Sequence, residues 1–114
     1  EIQYGDNDQL AARVSELVKA NCLILFSDVD GLFDDDPREN PNASLIKKVK
    51  VVTPEIEMLS NKTSTEFGSG GIETKIKAAK ICLDSNCKTI IANGMNDSPI
   101  SIIKNSDHFT MFGN

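Results

Sequence analysis

The chain has 114 residues, 39% of them apolar and 25% charged, and carries a net charge of −5. This composition is typical of one globular domain with a core, and its acidic balance excludes the cationic face that nucleic-acid binding requires. The longest apolar run, Cys22–Phe26, is too short to span a bilayer, so we predict a cytoplasmic protein that binds neither nucleic acid nor membrane.

The first half of the chain predicts a helix, two strands and a second helix. The first helix follows the polar segment Gly5–Asp8, and CLILFSD then has the unbroken apolar character of a strand that is buried on both faces. After a loop rich in Asp, Asn and Pro, a short strand is predicted around Val49–Val52. Thr53 followed by Pro54 is the pattern that begins a helix.

The second half continues this alternation. After a loop at 61–71, a helix ending near Asn86 is predicted by four apolar residues at the spacing of one helix face: Ile72, Ile76, Ala79 and Leu83. Thr89–Ala92 resembles a buried strand, and a proline-led helix then leads to a last short strand at Phe109–Phe112. Strands that alternate with helices predict an α/β fold with a mostly parallel sheet.

The spacing of the cysteines and of the single histidine does not indicate a metal site. Cys22, Cys82 and Cys87 contain no CxxC pair, and His108 has no second ligand at metal spacing. We therefore predict that the three thiols are buried, reduced and structural, and we assign no catalytic role to His108.

The segment GSGGIETK, Gly68–Lys75, carries the clearest chemistry. Its glycines allow backbone amides to approach a ligand, and the N-terminus of the following helix favours an anion. Lys75, one turn inside that helix, supplies a point charge for a phosphate. The alternative is a flexible glycine loop before an ordinary helix, with Lys75 in solvent. The segment is not a Walker A loop, because no glycine precedes the lysine and no strand precedes the loop.

Two other polar segments fall where ligands bind in such sheets, at strand ends and helix starts. SDVDG places Ser27, Asp28 and Asp30 after a strand, which suits a ribose, a base or a metal; alternatively, the carboxylates bond to turn amides. GDND suits an amino-acid substrate, because Asn7 offers both donors and acceptors. Its alternative is the N-cap of the first helix.

Four strings, in this order, carry a family resemblance: GDNDQLAARV, LILFSDVDGLFDDDPRENPNASLI, GSGGIETKIKAAKI and TIIANG. Together they resemble the amino-acid kinase family and, within it, the glutamate 5-kinases, over essentially the whole chain. The second string is shared across the family, whereas the first and third are more selective. Ser69 stands where threonine is usual and Ile72 where methionine is usual.

The resemblance implies a three-layer α/β/α amino-acid kinase fold, of which this chain is the C-terminal, nucleotide-binding half. It implies ATP-dependent phosphorylation of the γ-carboxylate of L-glutamate to glutamyl 5-phosphate, the first step of proline biosynthesis. ATP and Mg²⁺ are the implied cofactors, glutamate and ATP the small-molecule partners, and proline a feedback inhibitor of a homo-oligomer.

The resemblance also implies roles for individual residues. Asn7 contacts glutamate, Asp8 binds at the substrate and organises the catalytic lysines, and Lys75 stabilises phosphoryl transfer. No residue is assigned to a metal. Nucleotide binding is implied for residues of two stretches: Ser27, Asp28, Ser69, Gly70, Gly71, Ile72, Glu73, Thr74 and Lys75.

Residues 1–114 are expected to be the second half of a single kinase domain. The N-terminal half of the kinase domain, with its lysine-bearing glycine loop, and the PUA domain of many glutamate 5-kinases are expected to lie outside these residues. The fragment alone is therefore expected to be inactive. Two alternatives stay open. One is a kinase of the same fold that acts on acetylglutamate or isopentenyl phosphate, and the other is a non-catalytic sensor of nucleotides or amino acids.

Overall fold

The computed structural model describes residues 12, 21–37, 39–60, 71–94, 101, 103, 105 and 108–113. Its bounded elements are β1 Cys22–Ser27, β2 Lys48–Val49, α1 Pro54–Ser60, α2 Gly71–Asp84, β3 Lys88–Asn93 and β4 Thr110–Phe112. Ala12, Ser101, Ile103 and Asn105 are also helical, at positions where the sequence predicts helices.

The four strands form one sheet in the order β1-β3-β4-β2. β1 pairs parallel with β3, β2 pairs parallel with β4, and only the β3–β4 pairing is antiparallel among the described strands. Ser27 lies opposite Asn93 in the β1–β3 register, so these two strands end together at one edge of the sheet. The predicted α/β fold with a mostly parallel sheet is confirmed.

Helix α2 forms because its apolar residues return every three or four positions and can be buried together. Ile72, Ile76 and Ala79 are each at most 2% exposed, and they pack with Ile91 and Phe112 of the sheet in one hydrophobic cluster. Burial of one such isoleucine stabilises the fold by roughly 1.5–3 kcal/mol. The predicted face of this helix is therefore its core face.

Two local signals set helix ends as predicted. At the start of α1, the Thr53 hydroxyl accepts a hydrogen bond from the backbone N–H of Ile56 at 3.3 Å, which is an N-cap. After α2, Asn86 adopts a left-handed backbone with φ of 59°. The backbone N–H of Asn86 donates to the Leu83 carbonyl at 3.2 Å and that of Cys87 to the Cys82 carbonyl at 2.8 Å, which is a Schellman motif.

The prediction that β1 is buried on both faces is wrong. Ile24 is 37% exposed and Phe26 43% exposed, whereas Leu25 and Ser27 on the opposite face are buried. The reason is that α2 packs on the face of β1 that carries Leu25, so the opposite face, with Ile24 and Phe26, stays exposed. Cys22 shares the exposed face, so the prediction that it is buried is also wrong.

The prediction of buried thiols holds for two of the three cysteines. Cys82 and Cys87 are buried, and all three cysteines are free. The second strand is shorter than predicted, because it ends at Val49, and Val51 is 64% exposed. Among the helices of the described residues, none has the length and apolar character that crossing a bilayer requires.

Candidate functional site

Ser27 closes β1 and orders the turn that follows it. The Ser27 side chain is buried, and its hydroxyl accepts a hydrogen bond from the backbone N–H of Val29 at 3.4 Å and donates to the Asp28 carboxylate at 3.4 Å. The Ser27 carbonyl accepts a hydrogen bond from the backbone N–H of Gly94 at 2.8 Å. The end of β1 is thus fixed to the end of β3, and Asp28 begins the loop beyond this edge.

A second carboxylate of the turn reaches the neighbouring strand. Asp30 accepts a hydrogen bond from the Asn93 side-chain amide at 3.2 Å, and the His108 ring lies 4.0 Å from its other oxygen. The His108 side chain is 67% exposed, and a salt bridge to so exposed a ring contributes at most about 1 kcal/mol. Asp30 therefore tethers the turn mainly through Asn93.

Lys75 is buried, with only 2% of its surface exposed. Charged side chains are almost never so deeply buried unless paired, and Lys75 takes part in a hydrogen-bonding or electrostatic interaction. Lys77, two residues further along, is 56% exposed and forms an ion pair with Glu73 at 3.6 Å. The alternative that Lys75 lies in solvent is therefore wrong, whereas the Lys77 side chain does lie in solvent.

Lys75 lies on the stripe of α2 that covers β1. Ala78 and Cys82 follow Lys75 on that stripe at helical spacing, and they belong to one hydrophobic cluster with Leu25. Leu25 and Ser27 point to the same face of β1, because they are two residues apart and both are buried.

The direction of α2 places its first turn at the edge where β1 ends. Only residues 85–87 join α2 to β3, so the helix runs antiparallel to β3 and to β3's parallel partner β1. Lys75 is one turn from the N-terminus of α2, and Ser27 is the last residue of β1. The two residues therefore share one face and one edge of the sheet.

The other residues predicted to bind the nucleotide lie either at the start of α2 or outside the described residues. Gly71 is the first residue of α2, Ile72 is buried in the core, Thr74 is half-buried and Glu73 is exposed. The first four N–H groups of a helix have no partner within it, so this stretch offers backbone amides rather than a set of side chains. Four further predicted site residues lie outside the described residues: Asn7, Asp8, Ser69 and Gly70.

A cleft of about 390 Å³ lies at the opposite edge of the sheet, between the end of α2 and the start of β3. Lys50 and Lys88 line it together with Asn86 and Gly113. The C-terminus of a helix carries the negative end of its dipole, which opposes a phosphate. This cleft is therefore a poorer anion site than the edge that holds Ser27 and Lys75.

Carboxylate oxygens are the metal donors offered at the Ser27 edge. Asp28 and Asp30 both follow β1, and carboxylate oxygen suits Mg²⁺. Within the described residues, no group of three or more His, Cys, Asp or Glu side chains is arranged to hold a metal ion. This donor set fits an ion that is bound mainly by a ligand's own phosphates, as Mg²⁺ commonly is.

Sequence reasoning missed the residues that hold the turn after β1 in place. Asn93, which donates to Asp30, lies 63 residues from it in the sequence. Thr110 accepts a hydrogen bond from the Leu32 backbone N–H and lies 78 residues from Leu32. No local pattern indicates such contacts. The rule that parallel strands end at one edge could have identified Asn93, which closes the strand beside β1, but nothing comparable indicates Thr110.

Comparison with known proteins places these features in a family. The sequence profile described as the amino acid kinase family matches residues 1–93. Glutamate 5-kinase 2 of Mesorhizobium japonicum is 46% identical over 112 residues, which are 98% of this chain and 39% of that protein. Glutamate 5-kinase of Pelagibacter ubique is 47% identical over 98% of this chain and 30% of its own length. The chain thus spans well under half of the curated relatives it matches.

Solved structures share the fold at low sequence identity. Carbamate kinase from Giardia lamblia bound to AMP-PNP has a TM-score of 0.67 and 18% identity, over 94% of this chain and 31% of that one. UMP kinase from Ureaplasma parvum has a TM-score of 0.66 and 18% identity, over 97% of this chain and 43% of that one. These similarities establish the fold alone.

Proposed function

The chain belongs to the amino acid kinase family, and from that membership we propose that it is the C-terminal, nucleotide-binding half of a kinase domain. The proposed reaction is transfer of the γ-phosphoryl group of ATP to the side-chain carboxylate of L-glutamate, the activity named for its relatives at 46–47% identity. One observation of this molecule carries the proposal: Lys75 is buried at the head of α2, on the face and edge where β1 ends at Ser27.

The proposed nucleotide site combines side chains with backbone amides. Ser27 and Asp28 bind the nucleotide at the end of β1, and residues 69–75 approach its phosphates through their amides and through Lys75. A helix N-terminus and one buried ammonium suit a polyanion even in a protein with net charge −5. The roles of Ser69 and Gly70, and those of Asn7 and Asp8 towards glutamate, stay predictions.

The chemistry of the acceptor determines what the protein must supply. A glutamate side chain has a pKa of about 4.3, so it is already an anionic nucleophile at neutral pH and needs no general base. One carboxylate oxygen attacks the γ-phosphorus, the bond to the bridging oxygen breaks, and ADP leaves. The obstacle is the approach of a carboxylate to a triphosphate of like charge, so catalysis rests on positioning and on cations placed in advance.

Lys75 is the cation that this chain contributes. Because it is buried, its ammonium acts in a medium of lower dielectric constant than water and interacts more strongly with a phosphate. Mg²⁺, when bound with ATP, neutralises phosphate charge, and the Asp28 and Asp30 carboxylates are the donors at this edge that would hold it. The rest of the phosphate clamp is proposed to come from the other half of the kinase domain.

An acceptor panel tests the proposed reaction. The complete polypeptide, in which residues 1–114 are joined to the proposed other half of the kinase domain, is incubated with MgATP and one acceptor at a time: L-glutamate, N-acetylglutamate, isopentenyl phosphate, UMP or carbamate. ADP release is measured. We expect kcat/KM with glutamate to exceed kcat/KM with each other acceptor by at least about tenfold, because a site built to pair the polar groups of one substrate discriminates against acceptors that lack them. Turnover that is greatest with another acceptor would reassign the substrate, and nucleotide binding without turnover would identify a sensor.

Three further properties belong to the same proposal. We propose a cytoplasmic location, which is supported by three free cysteines, because reduced thiols are typical of that compartment. Assembly into a homo-oligomer and feedback inhibition by proline follow from the family resemblance, and both are tested on the complete polypeptide, by sedimentation and by proline titration respectively.

A further inference from the structure

We propose that Thr110 is a positioning residue for nucleotide binding: its hydroxyl holds the turn after β1 so that Ser27 and Asp28 stay in their binding geometry. The inference rests on the proposed function, because it assigns Ser27 and Asp28 to the nucleotide. Thr110 itself lies in β4 and is separated from the edge strand by β3, so it acts through the turn and not by contact with ATP.

The Thr110 hydroxyl connects three segments of the chain. Thr110 is fully buried. Its Oγ1 accepts a hydrogen bond from the backbone N–H of Leu32 at 2.9 Å and donates one to the carbonyl of Ile46 at 2.6 Å. A hydroxyl has a single proton, so this side chain donates to one segment while it accepts from another. It links β4 to the turn after β1 and to the segment that enters β2.

The turn is fixed at both of its ends. At its start, the Ser27 carbonyl accepts from Gly94 at 2.8 Å, and at its end Leu32 accepts from Ile46 at 2.8 Å as well as donating to Thr110. Residues 28–31, which include Asp28, therefore lie between one anchor at Gly94, directly after β3, and a second at Ile46 and Thr110. Loss of the Thr110 hydroxyl removes one of the two hydrogen bonds that hold Leu32 and leaves this end of the turn less firmly fixed.

Gly31 provides an independent measure of how closely the turn packs on Thr110. A Cβ atom at Gly31 would lie 2.3 Å from Thr110 Oγ1 and 3.0 Å from the Thr110 backbone nitrogen. Real Cβ atoms do not approach other atoms at 2.3 Å, so any side chain here must displace the hydroxyl or the turn. The same hydroxyl therefore limits the turn by contact as well as by hydrogen bonding.

Substitution of Thr110 by valine or by serine separates the effect of the hydroxyl from the effect of the rest of the side chain. Thr110→Val keeps the branched shape but leaves the Leu32 N–H and the Ile46 carbonyl without this buried partner, so the turn must shift to find others. Thr110→Ser keeps both hydrogen bonds and removes one methyl group.

The test is steady-state kinetics of the complete polypeptide with Thr110→Val, Thr110→Ser and Gly31→Ala. We expect Thr110→Val and Gly31→Ala to raise the KM for ATP about fivefold or more while the KM for glutamate stays within twofold, and Thr110→Ser to stay within twofold of the parent in both. A merely structural role would lower the fraction of active protein, and hence the maximal rate, at unchanged KM. A lowered maximal rate at unchanged KM for ATP in Thr110→Val overturns the proposal. If the valine variant does not accumulate, the same result in Gly31→Ala overturns it.

Two controls distinguish this inference from the proposed function. If Ser27→Ala and Lys75→Ala leave the binding of ATP and the rate of transfer unchanged, the nucleotide site itself is wrong, and the role of Thr110 falls with it. If they impair the enzyme while Thr110→Val leaves the KM for ATP unchanged, only the Thr110 inference is wrong. Should neither Thr110→Val nor Gly31→Ala accumulate, hydrogen exchange of the parent decides: exchange of the Leu32 amide slows when AMP-PNP binds, and an unchanged rate contradicts the inference.

Discussion

Two threonines of the same sheet are fully buried but differ in what their hydroxyls contact. Thr110 Oγ1 makes two hydrogen bonds to backbone groups, whereas Thr89 Oγ1 has no hydrogen-bond partner among the described residues. A buried polar group that loses its partner costs about 1–3 kcal/mol, whereas replacement of an unpartnered hydroxyl by an apolar group of the same shape is nearly neutral or stabilising. The pair therefore provides a matched comparison at constant shape.

We expect Thr89→Val to leave the free energy of unfolding unchanged or to raise it by up to about 1 kcal/mol, and Thr110→Val to lower it by about 2 kcal/mol. Urea denaturation of the complete polypeptide measures both changes. Equal losses in the two variants would contradict the hydrogen-bond assignment and would indicate that both sites respond only to packing.

The Cys87 thiol makes stability depend on alkaline pH. Burial, together with the neighbouring Cys82 thiol, raises the pKa of Cys87 from 9.0 to about 11. The unfolded chain therefore releases this proton near pH 9 and the folded chain only near pH 11, so the contribution to stability is complete below pH 9 and is lost between those values. We expect the parent to lose unfolding free energy more steeply than Cys87→Ala over this range. If urea denaturation shows the same fall of unfolding free energy with pH in the parent and in Cys87→Ala, the raised pKa of Cys87 is contradicted.

At the scale of elements, the end of α2 depends on one residue, Asn86, which adopts the left-handed backbone conformation. Asn86 has φ of 59°, a conformation that costs most L-residues roughly 1–2 kcal/mol and glycine almost nothing. We expect Asn86→Ala to lower the free energy of unfolding by about 1 kcal/mol and Asn86→Gly to leave it unchanged or raise it slightly. Thermal unfolding of the two variants measures the difference. Equal stability of the alanine and glycine variants would contradict a left-handed cap.

The sequence predicted those elements whose signals are local. The start of α1 follows from Thr53 and Pro54, and α2 follows from a regular apolar face that ends near Asn86, so its bounds differ from the prediction by one or two residues. The burial of β1 was predicted wrongly, because Ile24 and Phe26 lie on the face of the strand opposite to the one that α2 covers. Which face a helix covers depends on how distant elements pack, and the composition of one strand does not contain that information.

The candidate site was predictable to a similar extent. Ser27, Asp28 and Lys75 were predicted as site residues from local patterns, namely glycines, strand ends and helix starts, and their binding roles stay predictions. The burial of Lys75 was not predicted, although it follows Ile72 by three residues and precedes Ile76 directly, so that the helix turns it towards the sheet. Such a position is compatible with either solvent or core until the packing of the helix is known.

At the scale of the whole molecule, the site is proposed to need residues beyond these 114. The chain contributes one buried lysine and helix amides, while the acceptor carboxylate and the triphosphate both carry negative charge. We expect residues 1–114 alone to form no glutamyl phosphate from MgATP and glutamate, and the complete polypeptide to form it under the same conditions. Trapping with hydroxylamine measures the product. Formation by residues 1–114 alone would contradict the division of the site between two halves.

The most direct test of the account compares two lysines of α2 in the complete polypeptide. Lys75 is 2% exposed at the proposed phosphate site, and Lys77 has a side chain that is 56% exposed and pairs with Glu73. We expect Lys75→Ala to lower kcat for glutamate phosphorylation by about 10²-fold or more, the usual effect of losing one preorganised charged donor, and Lys77→Ala to stay within about twofold of the parent. A kcat for Lys75→Ala within twofold of the parent would contradict the central claim that this buried ammonium stabilises phosphoryl transfer.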